Sequence, residues 1–386
     1  MNRNLVLNMI RRRGPLSRTR LTEISGLSVG AISQIVGELL DDGWIIEVGE
    51  GESTGGRPQI LLRLNPTAGY AVGLKLMEDR MVCAVTNLEV SEQLYLEAPL
   101  TSRAPQDVVV AVSNAVRRAI VEAGITVKQV LGVGIGLAGV VNTRTGVVHY
   151  SPFFKWHELP IGDAIAAELN LPVFISNDVN TLTITEQLFG DGHDYENFAV
   201  VTVGRGIGMG IVLHNQLYEG GPGGAGELGH ITLEVDGPQC DCGKRGCLEA
   251  LAADPAVLRQ VQAGWGAERR AITLTDVVAA AEAGDRVAQE ALAASGRYIG
   301  RGLSTLVNML CPALIIISGE GVIAGNYRLG PALDELRSHS FNGLFEHVRI
   351  LVKPGDDRTW ARGAAGLVVG KVFESPLVES ARKIEV

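Results

Sequence analysis

Two apolar runs broken by glycines, VLGVGIGLAGVV (130–141) and FAVVTVGRGIGMGIVL (198–213), constrain this chain more than any other feature. Short, nearly continuous apolar runs with glycine-rich exits read as strands buried on both faces. Around them strands and helices alternate. YAVGLKL (70–76), MVCAVTNL (81–88) and QLYLEA (93–98) read as three successive strands, and a helix follows from about 106 to 123. PVFISND (172–178) is a further strand ending in Asn177 and Asp178. After 198–220 the theme repeats, with helices between about 274 and 309, the strand ALIIISGEG (313–321) and a closing helix near 362–373. Two α/β halves, each opening with a strand meander, predict a two-lobed body with a cleft between the lobes. Such folds bind ligands at the carboxyl ends of their strands.

At 386 residues the chain exceeds one ordinary core, and 46% hydrophobic with 20% charged residues suits a globular protein. No apolar stretch approaches the ~18 residues of a membrane span and no signal peptide is evident, so no membrane partner is expected. Five cysteines, three of them clustered, do not form a disulfide framework, and a cytoplasmic setting is expected.

Charge divides the chain. Six of its 34 basic residues (Arg3, Arg11, Arg12, Arg13, Arg18, Arg20) fall in the first 20 positions, which hold no acid; the remaining 28 face 43 acidic residues. A basic head on an acidic body predicts a polyanion partner for the head alone. Leu5, Val6, Met9 and Ile10 repeat at helical spacing up to Gly14-Pro15. Ser17 can cap a second helix. SGLS (25–28) forms a tight turn, and Ser28 caps a third helix with Ile32, Val36, Leu39 and Leu40 on one face. Small and polar residues occupy the other face, the pattern of a helix-turn-helix whose second helix enters a major groove. WIIEV and QILLRL, joined by GEGESTGGRP (49–58), form a hairpin wing with Arg57 at its tip, placed for a minor groove. The candidate contacts to double-stranded operator DNA are Arg18, Ser28, Ala31, Ser33, Gln34 and Arg57.

His230 is followed by Cys240, Cys242 and Cys247. Three thiolates and an imidazole at this spacing suit one tetrahedral zinc ion, and four protein ligands leave no open position for hydrolytic water, so the zinc is structural.

GELGHITLEVDGPQCDCGKRGCLEALAA (226–253), SNDVNTLTITEQLFG (176–190) and the winged head together resemble the ROK family of repressors, open reading frames and sugar kinases, in its NagC/XylR-type repressor branch. The resemblance spans nearly the whole chain. It implies a winged helix-turn-helix followed by an actin-like, sugar-kinase-like (ribonuclease-H-like) body. The expected divisions are 1–65 for the head, 66–185 for lobe 1 and 186–386 for lobe 2, with the closing helix able to pack back on lobe 1. It also implies that Asn177, Asp178, Glu227, His230 and Glu249 surround a bound hexose, His230 ligating metal through one ring nitrogen and facing the sugar with the other. Trp156 is a further stacking candidate, although SPFFKW (151–156) departs from the family kinases, which carry an asparagine there.

Kinase chemistry needs phosphate loops. Where the family kinases have an Asp-x-Gly-Gly-Thr-like turn, this chain reads GLKLMEDRM (73–81), with Lys75 near the aspartate and Met77-Glu78 in place of glycines; Arg205 intrudes on the second loop, VGRGIGMG (203–210). Phosphate approach is blocked. The resulting expectation is a sugar-responsive transcriptional regulator, a repressor of carbohydrate uptake or catabolism genes without enzymatic activity, acting as a homodimer or homotetramer and answering to a sugar or sugar phosphate. The rivals are an ATP-dependent sugar kinase with an appended head, and a regulator controlled by a protein partner.

Overall fold

The computed structural model describes residues 2–50, 58–266 and 273–374. The head comprises α1 (Asn2–Arg13), β1 (Leu16–Ser17), α2 (Arg18–Ser25), α3 (Val29–Asp41), β2 (Ile45–Glu50) and β3 (Ile60–Leu64). Local chemistry sets its turns. The Ser17 hydroxyl caps α2 by accepting from Arg20 N, Gly26 ends that helix in the left-handed region (φ 70°), and Ser28 caps α3 by accepting from Ala31 N. The three strands pair in the order β1-β3-β2, so the wing is present as expected. The buried face of α3 is Ile32, Ile35, Val36 and Leu39.

The body holds two five-stranded sheets of one topology. The first runs β11-β7-β4-β5-β6, built from β4 (Tyr70–Leu76), β5 (Arg80–Thr86), β6 (Glu92–Pro99), β7 (Val130–Leu137) and β11 (Val173–Asn177). Here α4 (Pro105–Glu122) and α5 (Ile161–Leu169) are the crossovers, and a small sheet of β8 (Val140–Asn142), β9 (Val147–Ser151) and β10 (Trp156–Leu159) follows β7. The second sheet runs β14-β13-β12-β15-β16, from β12 (Phe198–Val203), β13 (Ile207–Leu213), β14 (Gln216–Leu217), β15 (Leu314–Ser318) and β16 (Arg349–Val352). In both, an antiparallel meander is extended by two parallel strands. This duplication is the actin-like architecture. α6 (Asp178–Phe189) leaves β11 toward the second lobe, which adds α7 (Leu248–Ala252), α8 (Asp254–Trp265), α9 (Leu274–Glu282), α10 (Arg286–Leu310) and α11 (Asn326–His339). Among the described residues no helix is long and apolar enough to cross a membrane.

The closing helix, α12 (Asp357–Phe373), starts five residues earlier than its periodicity suggested, because Asp356 and Thr359 form a capping box. It returns to the first sheet and lies so close that a Cβ on Gly134 would sit 1.9 Å from Ala364 O, which is why β7 carries glycine there. Its far end joins the head: Val368, Val369 and Phe373 share one apolar core with Val6, Leu7, Ile10, Leu62 and Leu64.

Candidate functional site

In the head, α3 presents an outer surface on which Ser33 and Gln34 are exposed and Ala31 half-buried. Gln34 Nε2 donates to Glu38 Oε1 one turn on (3.0 Å), and both atoms are free to exchange partners at the surface. The Ser28 hydroxyl is taken up by its cap to Ala31 N (3.2 Å). Arg18 leans on Glu47 of β2 at 3.4 Å, an exposed pair of the kind worth about 0–1 kcal/mol. Arg57 lies outside the described residues. Sequence reasoning passed over Val29, which opens α3 and is 70% exposed; its spacing of three and seven residues from Ile32 and Val36 matches the buried face, so periodicity gives no signal of its exposure. Arg11 requires a correction. It does not extend into solvent with Arg12 and Arg13 to serve the polyanion partner expected for the basic head. It turns inward, donates to Leu188 O and stacks near the rings of Phe189 and Phe373. Burial, then the neighbouring Arg12 charge, lowers its pKa to about 10, which leaves it a cation.

In the body, β11 ends at Asn177, and Asp178 opens α6. Asn177 is committed to the backbone: Oδ1 accepts from Val179 N (2.9 Å) and Asn180 N (3.3 Å), while Nδ2 donates to Gly139 O (3.1 Å). Asp178 Oδ1 accepts from Val179 N (2.9 Å), and its Oδ2 is 2.8 Å from Lys75 Nζ. The Lys75 ammonium lies 3.5 Å from the centroid of the Trp360 ring, whose indole N–H donates to Glu320 (2.7 Å). Lys75, which stands where the family kinases' loop is expected to carry an aspartate, therefore holds the Asp178 carboxylate. The other replacements meet across the cleft: Arg205 bridges Glu78 (3.2 Å) and Asp241 (3.3 Å) and sits over the Phe153 ring. Trp156 is buried, stacked on Phe154 and donating to Arg103 O (2.9 Å), so it is not poised to stack on a sugar.

From the second lobe come Glu227, Glu249 and His230, and the Glu227 carboxylate lies near enough to feel the charge of Asp178. His230 Nε2 lies 3.7 Å from Glu227 Oε2. Burial, with the nearby Glu249 and Asp178 charges, raises the Glu227 pKa against the pull of His230. Glu249 Oε2 accepts from Ile207 N (3.1 Å), which fixes its carboxylate.

The other nitrogen of His230 points to the cysteines. The ligand atoms of His230, Cys240, Cys242 and Cys247 all lie within 4.8 Å of one another, with Nδ1 to Cys240 Sγ 3.6 Å and Cys242 Sγ to Cys247 Sγ 3.7 Å. A tetrahedral thiolate–imidazole centre has donor–donor edges of about 3.5–3.8 Å. These four side chains are positioned to bind a metal ion. Burial pushes Cys240 up to about 12 and raises Cys247, whereas hydrogen bonds, foremost from the Lys244 backbone N–H, bring Cys242 down despite its burial. A cation among them reverses that balance by stabilising thiolates.

A winged head on an actin-like body with a polar interlobe cleft defines a class of protein, DNA-binding relatives of sugar kinases. Comparison with known proteins agrees. The ROK family model matches residues 71–371, and a winged helix-turn-helix DNA-binding model matches residues 2–46. The chain belongs to the ROK family. It is 28% identical to the xylose repressor of Bacillus subtilis, covering 96% of this chain and 95% of that protein. It is 29% identical to the DNA-binding transcriptional dual regulator NagC of Escherichia coli, covering 98% and 95% respectively. Among solved structures, a ROK family transcriptional regulator, a homologue of the E. coli MLC protein, superposes with a TM-score of 0.85 at 27% identity, covering 96% of both chains. A ROK glucokinase from Streptomyces griseus, bound to glucose and AMPPNP, superposes at 0.67 with 28% identity, over 78% of this chain and 99% of that one.

Proposed function

We propose that this protein is a sugar-responsive DNA-binding transcriptional regulator, a repressor of carbohydrate uptake or catabolism genes, and not an enzyme. The observation that carries the reading is the pairing of a winged head with a kinase-like cleft closed by its own side chains, Lys75 on Asp178 and Arg205 on Glu78. An Asp178 engaged by an ammonium is a poor base for phosphoryl transfer but still accepts a hydrogen bond from a sugar hydroxyl. Residues 1–65 are taken as the DNA-binding unit and 66–185 and 186–386 as the two lobes. Gln34 and Ser33 read base edges, Ala31 and Val29 meet thymine methyls, and Arg18 and Arg57 meet the backbone or minor groove. Ser28 acts through its backbone and the helix start it caps. Asp178, Glu227, Glu249 and the His230 Nε2 edge accept and donate to the hydroxyls of a sugar or sugar phosphate, and Asn177 shapes the site by capping α6.

The metal is assigned as one structural zinc ion on His230, Cys240, Cys242 and Cys247. Holding His230 through Nδ1 fixes the ring so that Nε2 faces Glu227. Two half-sites are read by a homodimer or a homotetramer, and a protein partner is a second route of control. The test is operator release. Glu227→Ala should bind operator like the wild type but fail to let go when sugar is added, whereas wild type should weaken by about 5–150-fold in a panel that includes D-xylose, N-acetylglucosamine and their phosphates. Release of the variant at the wild-type sugar concentration would refute the site.

A further inference from the structure

One helix pair has a cation at each end. In the cleft, Lys75 touches the first residue of α6, with Nζ 2.8 Å from Asp178 Oδ2, and the first turn of α12, 3.5 Å from the Trp360 centroid. In the head, Arg11 touches the last turn of the same two helices. It donates to Leu188 O, and its guanidinium carbon lies 5.4 Å from the Phe189 centroid and 5.0 Å from that of Phe373. Between these ends the helices pack nearly backbone to backbone: a Cβ on Gly366 would meet Thr185 Oγ1 at 2.0 Å, and that hydroxyl donates to Gly363 O (3.3 Å). At 1.5 Å per residue, the 12 residues of α6 span about 18 Å and the 17 of α12 about 26 Å.

The head grips both carboxyl ends with one face of α1. Asn4 Nδ2 donates to Glu374 O (2.8 Å), Asn8 Nδ2 to Phe373 O (2.8 Å), and Arg11 to Leu188 O. Positions 4, 8 and 11 fall on one side of a helix. The last carbonyls of a helix have no partner within it and favour a cation nearby, so α1 supplies what α6 and α12 lack. For packing alone an arginine is a costly choice. Its Nε is buried without a hydrogen-bond partner, and an aliphatic side chain would fill the space without that desolvation. What an arginine adds is direction, because its planar fork registers where Leu188 O and the two rings stand.

We infer that α6 and α12 act as one rod between cleft and operator, and that Arg11 is the positioning residue that converts the state of the Asp178–Lys75 end into the pose of the head. The inference rests on the regulatory reading above and names the route it takes. The close packing of α6 on α12 gives a displacement at Asp178 a continuous route to Leu188 O, and the coupling along it is what the mutant cycle measures.

The test is a mutant cycle on the full chain, without added sugar, read as affinity for a duplex selected from a random library by the wild-type protein. The cleft end is altered by the charge-neutral pair Lys75→Met with Asp178→Asn, and the head end by Arg11→Met. With Arg11 present, the cleft change should alter affinity by about fivefold or more. In the Arg11→Met background, the same cleft change should have no effect. An equal fold-change in both backgrounds, or none in either, would overturn the inference. A merely structural Arg11 would weaken binding without removing dependence on the cleft. Should Arg11→Met not fold, Arg11→Lys keeps the charge, removes the fork and permits the same comparison. Because no sugar is present, the two ideas fail separately. A flat cycle with sugar-induced release intact sinks only the rod, and a wild type deaf to every sugar sinks only the regulatory reading.

Discussion

Replacing Lys75 by methionine isolates the ion pair that occupies the floor of the cleft. The two side chains are 13% and 12% exposed, so the pair is largely screened from solvent. Removing one member of a buried pair costs about 3–5 kcal/mol, because the other charge is left without compensation. Here the remaining carboxylate keeps one partner, Val179 N at 2.9 Å, and sits at the amino end of α6, where the helix dipole offsets about 1 kcal/mol. The expected loss for Lys75→Met is therefore about 2–4 kcal/mol near pH 7. Asp178→Asn should cost less, because the ammonium retains the face of Trp360, a contact worth up to about 2 kcal/mol when desolvated. Combining the two changes removes both charges and should return stability to within about 1 kcal/mol of wild type. Urea unfolding of the three variants, followed by far-UV ellipticity and tryptophan emission, measures the cycle. If the double variant loses as much as the sum of the singles, Lys75 and Asp178 are not energetically paired and the account of the closed cleft is wrong.

The metal site and the head carry further expected outcomes. Elemental analysis should find one zinc per chain; Cys242→Ser should lower that content and lower the unfolding temperature, and metal-free, reduced protein of undiminished stability would refute a structural ion. At the head, Arg12→Ala and Arg13→Ala should each flatten the salt dependence of DNA binding by about one unit of slope, whereas Arg11→Met should leave the slope unchanged, and Gln34→Ala should reduce the preference for operator over random DNA by about 1–3 kcal/mol. Equal slopes for all three arginine variants in filter-binding titrations would show that Arg11 meets phosphate after all.

What could be read from the sequence was what short-range chemistry determines. Ser17, Ser28 and the turn glycine mark the helices of the head, because caps act within three residues. The metal cluster was legible because its ligands sit in one loop segment with a nearby histidine. The doubled meander emerged from buried runs. The small sheet β8–β10 was missed, since strands of three to five residues carry too few side chains to show a period. The role of Arg11 was misread because its neighbours Arg12 and Arg13 make a basic run, while its actual acceptor, Leu188 O, is 177 positions away. Lys75 was recognised as an intruder in a phosphate loop. That it would clasp Asp178 depends on β4 and β11 flanking β7, a pairing that no local pattern announces. Asn177 was assigned to the ligand on the strength of resemblance alone; its Oδ1 caps the helix it introduces and its Nδ2 donates one hydrogen bond to Gly139 O.

The shared core of head and closing helix bears on how such proteins can be recombined. Val368, Val369 and Phe373 belong to the end of the chain, yet they pack with Val6, Leu7 and Ile10 from its beginning. A seam drawn at Asn65-Pro66 follows the polypeptide but cuts through this apolar cluster. A head transplanted from a relative along that seam would bring its preference for a DNA sequence and arrive on a foreign floor. To inherit the donor's regulation as well as its address, a chimaera must carry the inner face of the last helix with the first one. The interchangeable part of this protein is thus discontinuous in the gene, made of its two extremities.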